Sequence, residues 1–122
     1  MLTGLRTIEI PKSVFRIGDG MLAECKSLEH VTIPENIDRI SNRMFEGCTS
    51  LKKVALHENL CAIGERAFFG CSSLDFLIVP DSVKQIGQDA FTNTDKQFII
   101  QCSFGSYAEE YARKNKFKYQ LV

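Results

Sequence analysis

The stretch LEHVTIPENIDRISNRMFEGCTS, residues 28–50, decides the fold, because its pattern occurs four times in the chain without a gap. It recurs as LRTIEIPKSVFRIGDGMLAECKS at residues 5–27, as LKKVALHENLCAIGERAFFGCSS at 51–73 and as LDFLIVPDSVKQIGQDAFTNTDK at 74–96. Self-similarity at a fixed period of roughly 20 to 50 residues is typical of stacked repeat proteins. We therefore predict four structural units inside one domain that spans residues 1–122.

Apolar residues occupy the same positions in every unit. In the unit quoted first, these are Leu28, Val31, Ile33, Ile37 and Ile40. A unit this short cannot bury a core alone, but stacked units turn each position into a continuous column of buried side chains. The columns are Leu5, Leu28, Leu51 and Leu74; Ile8, Val31, Val54 and Leu77; Ile10, Ile33, Leu56 and Val79; Val14, Ile37, Leu60 and Val83; Ile17, Ile40, Ile63 and Ile86; and the pairs Met21–Leu22, Met44–Phe45, Ala67–Phe68 and Ala90–Phe91.

Each unit is predicted to contain a short strand followed by turns. Val31 and Ile33 alternate with polar residues, which indicates a half-buried strand, and Pro34 ends it because proline donates no hydrogen bond to a ladder. A glycine such as Gly64 permits the next turn. The segment ERAFFGC, residues 65–71, is too short for a stable α-helix and predicts one helical or 3₁₀ turn. Units stacked in one direction pair their strands in parallel, so we expect an α/β solenoid with a parallel sheet on one face and turns on the other.

The column pattern L-x-x-V-x-I-P-x-x-V-x-x-I-G-x-x-A-F-x-x-C resembles the BspA-like leucine-rich repeats of bacteria and some protists. Residues 28–96 carry the pattern most clearly, and the tail FGSYAEEYARKNKFKYQLV is similar to the segment that closes many such arrays. The resemblance implies a right-handed leucine-rich-repeat array with a C-terminal capping helix. It also implies a cell-surface or secreted protein that contacts host proteins, matrix or other cells, often as part of a longer chain.

Residues 97–122 are predicted to form the C-terminal cap. Ser106 and Glu109 match a capping box, in which the hydroxyl and the carboxylate bind free N–H groups at the start of a helix. We expect the helix over residues 107–114 and a last short strand over 117–122. Ile100 and Cys102 continue the strand columns, Tyr107, Ala108, Tyr111 and Ala112 are expected to face the core, and Glu109, Glu110, Arg113, Lys114 and Lys116 are expected to face water.

Composition and motif content exclude several function classes. Fifteen basic residues cancel fifteen acidic ones, which gives no general attraction to nucleic acid or to an anionic membrane. No run approaches the roughly 20 apolar residues of a membrane span. His30 and His57 stand in different columns without neighbouring ligands, and no nucleotide-binding, hydrolase or zinc-protease motif occurs. We expect no catalytic site, no cofactor and no metal.

Three of the five cysteines, Cys25, Cys48 and Cys71, recur at the repeat period. Equivalent residues in stacked strands lie about 4.8 Å apart, farther than the ~3.8 Å between Cβ atoms that a disulfide prefers. The spacing is not a zinc pattern either. We therefore expect buried, reduced thiols at these positions and at Cys102, whereas Cys61 falls in a solvent-facing column and is the candidate for a reactive thiol.

The best-defined candidate for a binding surface is the solvent-facing side of the predicted sheet. Its N-terminal part is polar and includes His30 and Lys53, whereas Phe76, Ile78 and Ile99 place three large apolar groups in water. Exposed apolar clusters mark contact sites, and solenoids commonly bind through this face. Two alternatives stay open, namely that the tail folds over the cluster or that the patch is inert. The two outward rows are Thr7, His30, Lys53, Phe76 and Ile99, and Glu9, Thr32, Ala55, Ile78 and Gln101.

We therefore predict a non-enzymatic protein-interaction module whose partner is a protein, with a role in adhesion or in contact with a host or matrix. A structural spacer within a longer solenoid is one alternative. An intracellular scaffold is another, because the N-terminus MLTGLRTIEIPKSV lacks the features of a secretory signal. The start of the first unit at Leu5 has no cap, so either frayed or further residues cover it or a second copy pairs with it. A homodimer through the sheet face stays open as well. On the turn side, Phe69 is expected to be a single exposed aromatic.

Overall fold

The computed structural model describes residues 5–122, which form a solenoid of stacked coils. We number the coils by the repeat units, so that coil 1 is 5–27, coil 2 is 28–50, coil 3 is 51–73 and coil 4 is 74–96. The elements of the described residues are β1 (Thr7–Glu9), β2 (His30–Thr32), β3 (Arg39–Ile40), β4 (Lys53–Ala55), β5 (Ala62–Ile63), β6 (Phe76–Ile78), β7 (Gln85–Ile86), β8 (Ile99–Cys102), α1 (Tyr107–Lys114) and β9 (Lys118–Leu121).

One side of the solenoid, the wide face, is a row of six strands. β1, β2 and β4 pair in parallel in this order, and so do β6, β8 and β9. The register advances by one repeat at each step, so that Val31 lies between Ile8 and Val54. β4 and β6 lie beside each other, but over residues 5–122 no strand pairing joins them. The predicted parallel sheet is confirmed, and it consists of two groups of three strands.

A second sheet, which the apolar alternation does not indicate, lies on another side of each coil. β3, β5 and β7 have two residues each and pair in parallel in this order. Ile40, Ile63 and Ile86 point from these strands into the core. A strand of two residues is too short to show a period-2 alternation, so a search for that alternation cannot detect it. We call this side the narrow face.

The third side of each coil consists of turns that hydrogen-bond to the next coil, and the predicted 3₁₀ turn is present as single hydrogen bonds three residues back rather than as a continuous helix. The N–H groups of Arg66, Phe68 and Gly70 donate to carbonyls of coil 4 at 2.8 to 3.0 Å. Those of Ala67 and Phe69 donate within the coil, three residues back. Two residues of each coil adopt left-handed backbone conformations, with φ between 55° and 77°. As a result, hydrogen bonds to the next coil replace some of those that a helix would form within the coil. The left-handed residues are Gly20 and Glu24, Arg43 and Gly47, Arg66 and Gly70, and Asp89 and Asn93.

The glycine column serves a close approach between coils, which corrects the expectation that it permits a turn. A Cβ on Gly64 would lie 2.7 Å from the backbone nitrogen of Asn42, and one on Gly87 would lie 2.5 Å from a backbone nitrogen of coil 3. Neither glycine has a positive φ. Ser41 fills this position in coil 2, where its hydroxyl donates to the carbonyl of Gly18 at 3.1 Å. The column is therefore small because the backbones of neighbouring coils nearly touch there.

The predicted columns form one continuous core from the end of coil 1 to the cap. Its centre is a stack of phenylalanine rings, with centroids 5.3 Å apart between Phe45 and Phe68 and 5.6 Å apart between Phe68 and Phe91. Phe98 of the cap extends the stack at 5.1 Å from Phe91. Aromatic pairs at such separations add to the free energy of burial. Buried members of the other columns include Leu28, Leu51, Leu74, Ile40, Ile63, Leu60 and Val83.

Coil 1 departs from the predicted core. Leu5 is 47% exposed and Met21 is 65% exposed, although their equivalents in coils 2 to 4 are buried. A member of a column is covered from both sides only when one coil lies before it and another lies after it. Among the described residues, coil 1 has a neighbour on one side. Ile8, Ile10, Val14 and Ile17 of coil 1 are partly buried for the same reason, whereas Leu22 and Cys25 at the end of the coil are buried.

The cap follows its prediction with one correction. α1 begins after Ser106, whose hydroxyl accepts a hydrogen bond from the N–H of Glu109 at 3.1 Å. Ala108 and Ala112 face the core as expected. Glu109 is buried and does not face water, because its carboxylate accepts a hydrogen bond from the N–H of Gly105 at 2.7 Å. The acidic residue of the capping box therefore belongs to the packed end of the solenoid.

Candidate functional site

The apolar group predicted on the sheet is present on the wide face. Leu77 and Ile100 point into the core. Because side chains alternate along a strand, the residues beside them point outward. These are Phe76, Ile78 and Ile99, which we call the apolar cluster; Phe76 and Ile99 face each other across β6 and β8. Ile78 is 52% exposed and the other two are partly buried.

The tail borders the apolar cluster and does not cover it. β9 pairs with β8 as the last strand of the wide face, so that Lys118 lies beside Ile99 and Gln120 lies beside Gln101. The amide of Gln101 donates to Gln120 at 2.9 Å, and Lys118 Nζ donates to the side chain of Gln97 at 3.3 Å. The alternative in which the tail folds over the cluster is therefore wrong. The outward position of Lys118 was not predicted, although the alternation in KYQL is a signal for it.

The structure brings four of the five predicted contact residues together. Phe76, Ile78 and Ile99 form the cluster, and Lys53 lies on the adjoining strand β4 with its side chain exposed. His30 is exposed too, but it lies one strand farther away, on β2. With Lys118 on the opposite border, the cluster is framed by one lysine on each side.

The N-terminal part of the wide face is polar, as predicted. Arg6 and Glu29 form an exposed ion pair with 3.1 Å between Nε and Oε2. The hydrogen bond from Arg6 holds the pKa of Glu29 below its usual value. Thr7 and Thr32 are exposed in the two outward rows. The apolar cluster is thus a local feature of β6 and β8 within a polar surface.

The buried thiols serve packing. Cys25, Cys48, Cys71 and Cys102 are buried and free, as expected, and Cys61 is free and exposed. The thiols of Cys48 and Cys71 donate to carbonyls of the preceding coil, with 3.0 and 3.1 Å between sulfur and oxygen. Burial raises the pKa of Cys48 to about 12 and raises the pKa of Cys71 as well. Because a thiolate is the reactive form, these two side chains act as small apolar groups with a weak hydrogen bond.

Among the described residues, no cluster of metal ligands accompanies this surface. Over residues 5–122, no group of three or more His, Cys, Asp or Glu side chains is placed to hold a metal ion. His57 accepts a hydrogen bond at Nδ1 from the N–H of Asn59, at 3.1 Å, and so belongs to a local turn. In the same described part of the chain, no helix combines the length and apolar character needed to cross a membrane.

Phe69 is partly buried, which corrects the expectation of an exposed aromatic on the turn side. The guanidinium of Arg66 lies 3.7 Å from the centre of its ring, where a cation is attracted to the π face. The same guanidinium donates to the carboxylate of Glu46 in coil 2, with 3.1 Å from Nε to Oε2. Phe69 is therefore part of a bridge between coils 2 and 3.

The stacked coils, the shared columns and the capping helix define a leucine-rich-repeat solenoid. The chain belongs to the BspA type leucine rich repeat family, whose repeat region matches residues 1–118 in six copies. The family resemblance of the sequence pattern is thereby confirmed. A search of curated proteins finds no match to this chain.

Solved structures of bacterial leucine-rich-repeat proteins share this fold. A leucine-rich repeat protein from Bacteroides capillosus is 28% identical, with a TM-score of 0.71 over 82% of this chain and 78% of that one. A leucine rich cell surface protein from Faecalibacterium prausnitzii is 25% identical, with a TM-score of 0.67 over 88% of this chain and 34% of that one. A leucine-rich repeat protein from Bacteroides ovatus is 25% identical, with a TM-score of 0.66 over 98% and 37%. The chain thus spans about a third of the length of the last two proteins.

Proposed function

We propose that this chain is a non-enzymatic protein-binding module that contacts its partner through the apolar cluster. The observation that carries the proposal is the 52% exposure of Ile78 beside Phe76 and Ile99, on strands that the core holds in place. Apolar surface gains about 25 cal/mol for each Å² removed from water. A cluster of this kind on an otherwise polar face therefore favours association with another apolar surface.

The surroundings of the cluster support the same proposal. An interface typically has an apolar centre and a polar rim, and Lys53 and Lys118 border the cluster on opposite sides. The strands that present it are anchored by Leu77 and Ile100, which are fully buried. A surface that is already ordered loses little conformational freedom on binding, which favours affinity.

We further propose that the module acts at the cell surface or outside the cell, in adhesion or in contact with host or matrix proteins. Membership of the BspA type family supports this location. A similar protein of Faecalibacterium prausnitzii is a cell surface protein. This chain spans about a third of the length of that protein, and the fold alone does not define a location.

The test compares the wild-type chain with a double variant, Phe76→Ser with Ile78→Ser, and a control, Thr7→Ser with Thr32→Ser on the polar part of the same face. Matrix and host-surface proteins are passed over the immobilised wild-type chain, and a retained protein is purified for calorimetry. The double variant is expected to bind at least about 30-fold more weakly, since truncation of a central contact residue costs about 2 kcal/mol or more. The control is expected to bind as the wild type does.

Equal affinity of the double variant and the wild type would remove the apolar cluster as the binding site. Retention of no protein at all would favour the structural spacer. Sedimentation of the chain alone addresses the homodimer: concentration-dependent dimers that the double variant abolishes would identify a second copy as the partner.

A further inference from the structure

Coils 1 and 2 are not joined along the narrow face in the way that the later coils are. Between coils 2 and 3, the N–H groups of Cys61 and Gly64 donate to the carbonyls of Asp38 and Ile40 at 2.7 and 2.8 Å. The same pair of bonds joins coils 3 and 4. The equivalent donors of coil 2 are the N–H groups of Asp38 and Ser41. Within the described residues, neither of them donates to a backbone carbonyl of coil 1.

A cleft of about 910 Å³ lies where these bonds are missing. Coil 1 is tethered at both ends of the cleft by side chains. The amide of Asn36 donates to the carbonyl of Lys12, and the hydroxyl of Ser41 donates to the carbonyl of Gly18 at 3.1 Å. Between the two tethers, coil 1 forms no strand and β3 pairs with β5 alone. The two tethers therefore lie on either side of β3, and a backbone bond from the N–H of Gly20 to the carbonyl of Asn42 joins the coils beyond Ser41.

The free edge of β3 indicates what kind of ligand fits. In the later coils of the narrow face, the two equivalent N–H groups donate to two carbonyls that lie two residues apart on one short segment. For coil 3, these carbonyls belong to Asp38 and Ile40. Backbone N–H groups are strong donors that are almost always paired in folded proteins. A free strand edge accepts another extended segment, which is a common mode of peptide recognition.

The side chains of the cleft add an apolar contact. Phe15 lines the cleft and is 73% exposed. The equivalent positions in coils 2 to 4 are Asp38, Cys61 and Lys84, so coil 1 alone places an aromatic ring here. The volume of the cleft lies within the roughly 300 to 1,000 Å³ that is typical of ligand sites. The site is on the narrow face, apart from the apolar cluster of the wide face.

We propose that this cleft binds an extended peptide segment of a partner protein, which adds a strand to the free edge of β3. Two of its carbonyls, two residues apart, accept hydrogen bonds from the N–H groups of Asp38 and Ser41. An apolar side chain of the segment packs against Phe15. The proposal does not depend on binding at the apolar cluster.

The first arm of the test measures amide hydrogen exchange by NMR on the full chain. The amides of Asp38 and Ser41 are expected to exchange at least about 100-fold faster than those of Cys61 and Gly64, because unpaired amides open without unfolding. Cys61 and Gly64 are the matched controls, since they occupy the same positions one coil later. Equal protection of the four amides would show that coil 1 closes on β3 in solution, which overturns the proposal.

The second arm adds the acetylated and amidated peptide NIDRIS, which copies residues 36–41, the segment that makes these bonds to coil 3. At peptide concentrations up to about 1 mM, where a weak complex is populated, the amide signals of Asp38 and Ser41 are expected to shift and their exchange to slow. Absence of a shift, or shifts confined to the wide face, would contradict the proposal.

Two variants separate this site from the proposed function. Phe15→Asp copies the residue that coil 2 carries in this column, and because the side chain is 73% exposed the fold is expected to persist. It is expected to weaken peptide binding about tenfold, since an apolar contact is lost. The double variant Phe76→Ser with Ile78→Ser is expected to bind the peptide as the wild type does. Unchanged binding by Phe15→Asp, or loss of binding by the double variant, would place the peptide elsewhere.

Discussion

Coils 1 and 3 carry the same sequence pattern in different surroundings. Leu5 opens coil 1 and is 47% exposed, whereas Leu51 opens coil 3 and is fully buried. Met21 of coil 1 is 65% exposed, whereas Ala67 at the same position of coil 3 is fully buried. On the narrow face, coil 3 pairs with both neighbours while coil 1 leaves a cleft. The repeat pattern therefore defines which side chains can be buried, and the neighbouring coils decide which of them are.

The same substitution made in both coils is expected to have very different costs. Leu51→Ala is expected to lower the free energy of unfolding by about 3 kcal/mol, because it leaves a cavity inside a packed column. Leu5→Ala removes the same atoms from a half-exposed side chain and is expected to cost less than about 1 kcal/mol. Urea unfolding followed by circular dichroism measures both values. Equal losses would mean that coil 1 is covered as fully as coil 3.

A methyl group added at the glycine column compares coils 1 and 3 in the opposite way, by filling space instead of emptying it. A Cβ on Gly64 would lie 2.8 Å from the backbone carbon of Ser41, whereas a Cβ on Gly18 would meet nothing within 4 Å. Gly64→Ala is therefore expected to destabilise the fold by about 2 kcal/mol, as overpacking does. Gly18→Ala is expected to change stability by less than about 1 kcal/mol, and in the stabilising direction, because alanine restricts the unfolded chain. Thermal unfolding of the two variants tests the pair, and a larger loss for Gly18→Ala would contradict the described approach of the coils.

The buried thiols of coils 2 and 3 predict a pH dependence. Burial raises the pKa of Cys48 to about 12 and raises that of Cys71, from 9.0 in an unburied thiol. Above pH 9 the unfolded chain therefore loses protons that the folded chain retains. The stabilising contribution is complete below pH 9 and is lost as the pH rises toward the folded-state pKa values, by about 1 kcal/mol per pH unit for each thiol.

The measurement is the free energy of unfolding between about pH 8 and pH 11, a range that brackets the ordinary thiol pKa. The variant Cys48→Ala with Cys71→Ala is expected to show a shallower decline than the wild type. Cys61→Ala removes an exposed thiol and serves as the control. A decline that is the same in all three proteins would show that the buried thiols do not cause it.

How much of this fold the sequence predicts depends on the kind of interaction. The columns, the cap helix and the outward cluster of Phe76, Ile78 and Ile99 follow from apolar spacing, because burial imposes a period on the sequence. The burial of Glu109 and the partial burial of Phe69 do not follow from apolar spacing, since each side chain has a specific partner. These partners are the N–H of Gly105 and the guanidinium of Arg66. No periodicity encodes such pairs.

The backbone features were less predictable still. The two left-handed positions of each coil are occupied by Gly, Arg, Asp, Glu and Asn, so residue type gives a weak signal for them. The two-residue strands of the narrow face have no alternation to detect. The cleft at β3 depends on where coil 1 lies relative to coil 2, and the pattern of coil 1 is the same as that of the closed coils.

A smaller difference is expected between two substitutions at one of these left-handed positions. Gly20 in coil 1 and Asp89 in coil 4 have φ values of 68° and 58°, a conformation that costs a residue with a Cβ about 1 kcal/mol. Asp89→Gly is expected to be more stable than Asp89→Ala by about that amount. Both variants lose the hydrogen bond from the hydroxyl of Thr92 to Asp89, so their difference reports the backbone alone. Thermal unfolding measures it, and equal stability would argue against a left-handed residue here.

Amide hydrogen exchange at Leu22 and Phe68 shows whether the neighbouring coils decide how well a coil is ordered. Both N–H groups donate to the next coil, Leu22 to Met44 at 3.1 Å and Phe68 to Ala90 at 2.8 Å, but Leu22 belongs to the open coil and Phe68 to a coil enclosed on both sides. If the neighbouring coils determine order, the opening that exposes the Phe68 amide costs nearly the free energy of global unfolding. The Leu22 amide is then expected to exchange much faster. Equal protection of the two amides would contradict this account, since the same pattern would then be equally ordered with one neighbour or two.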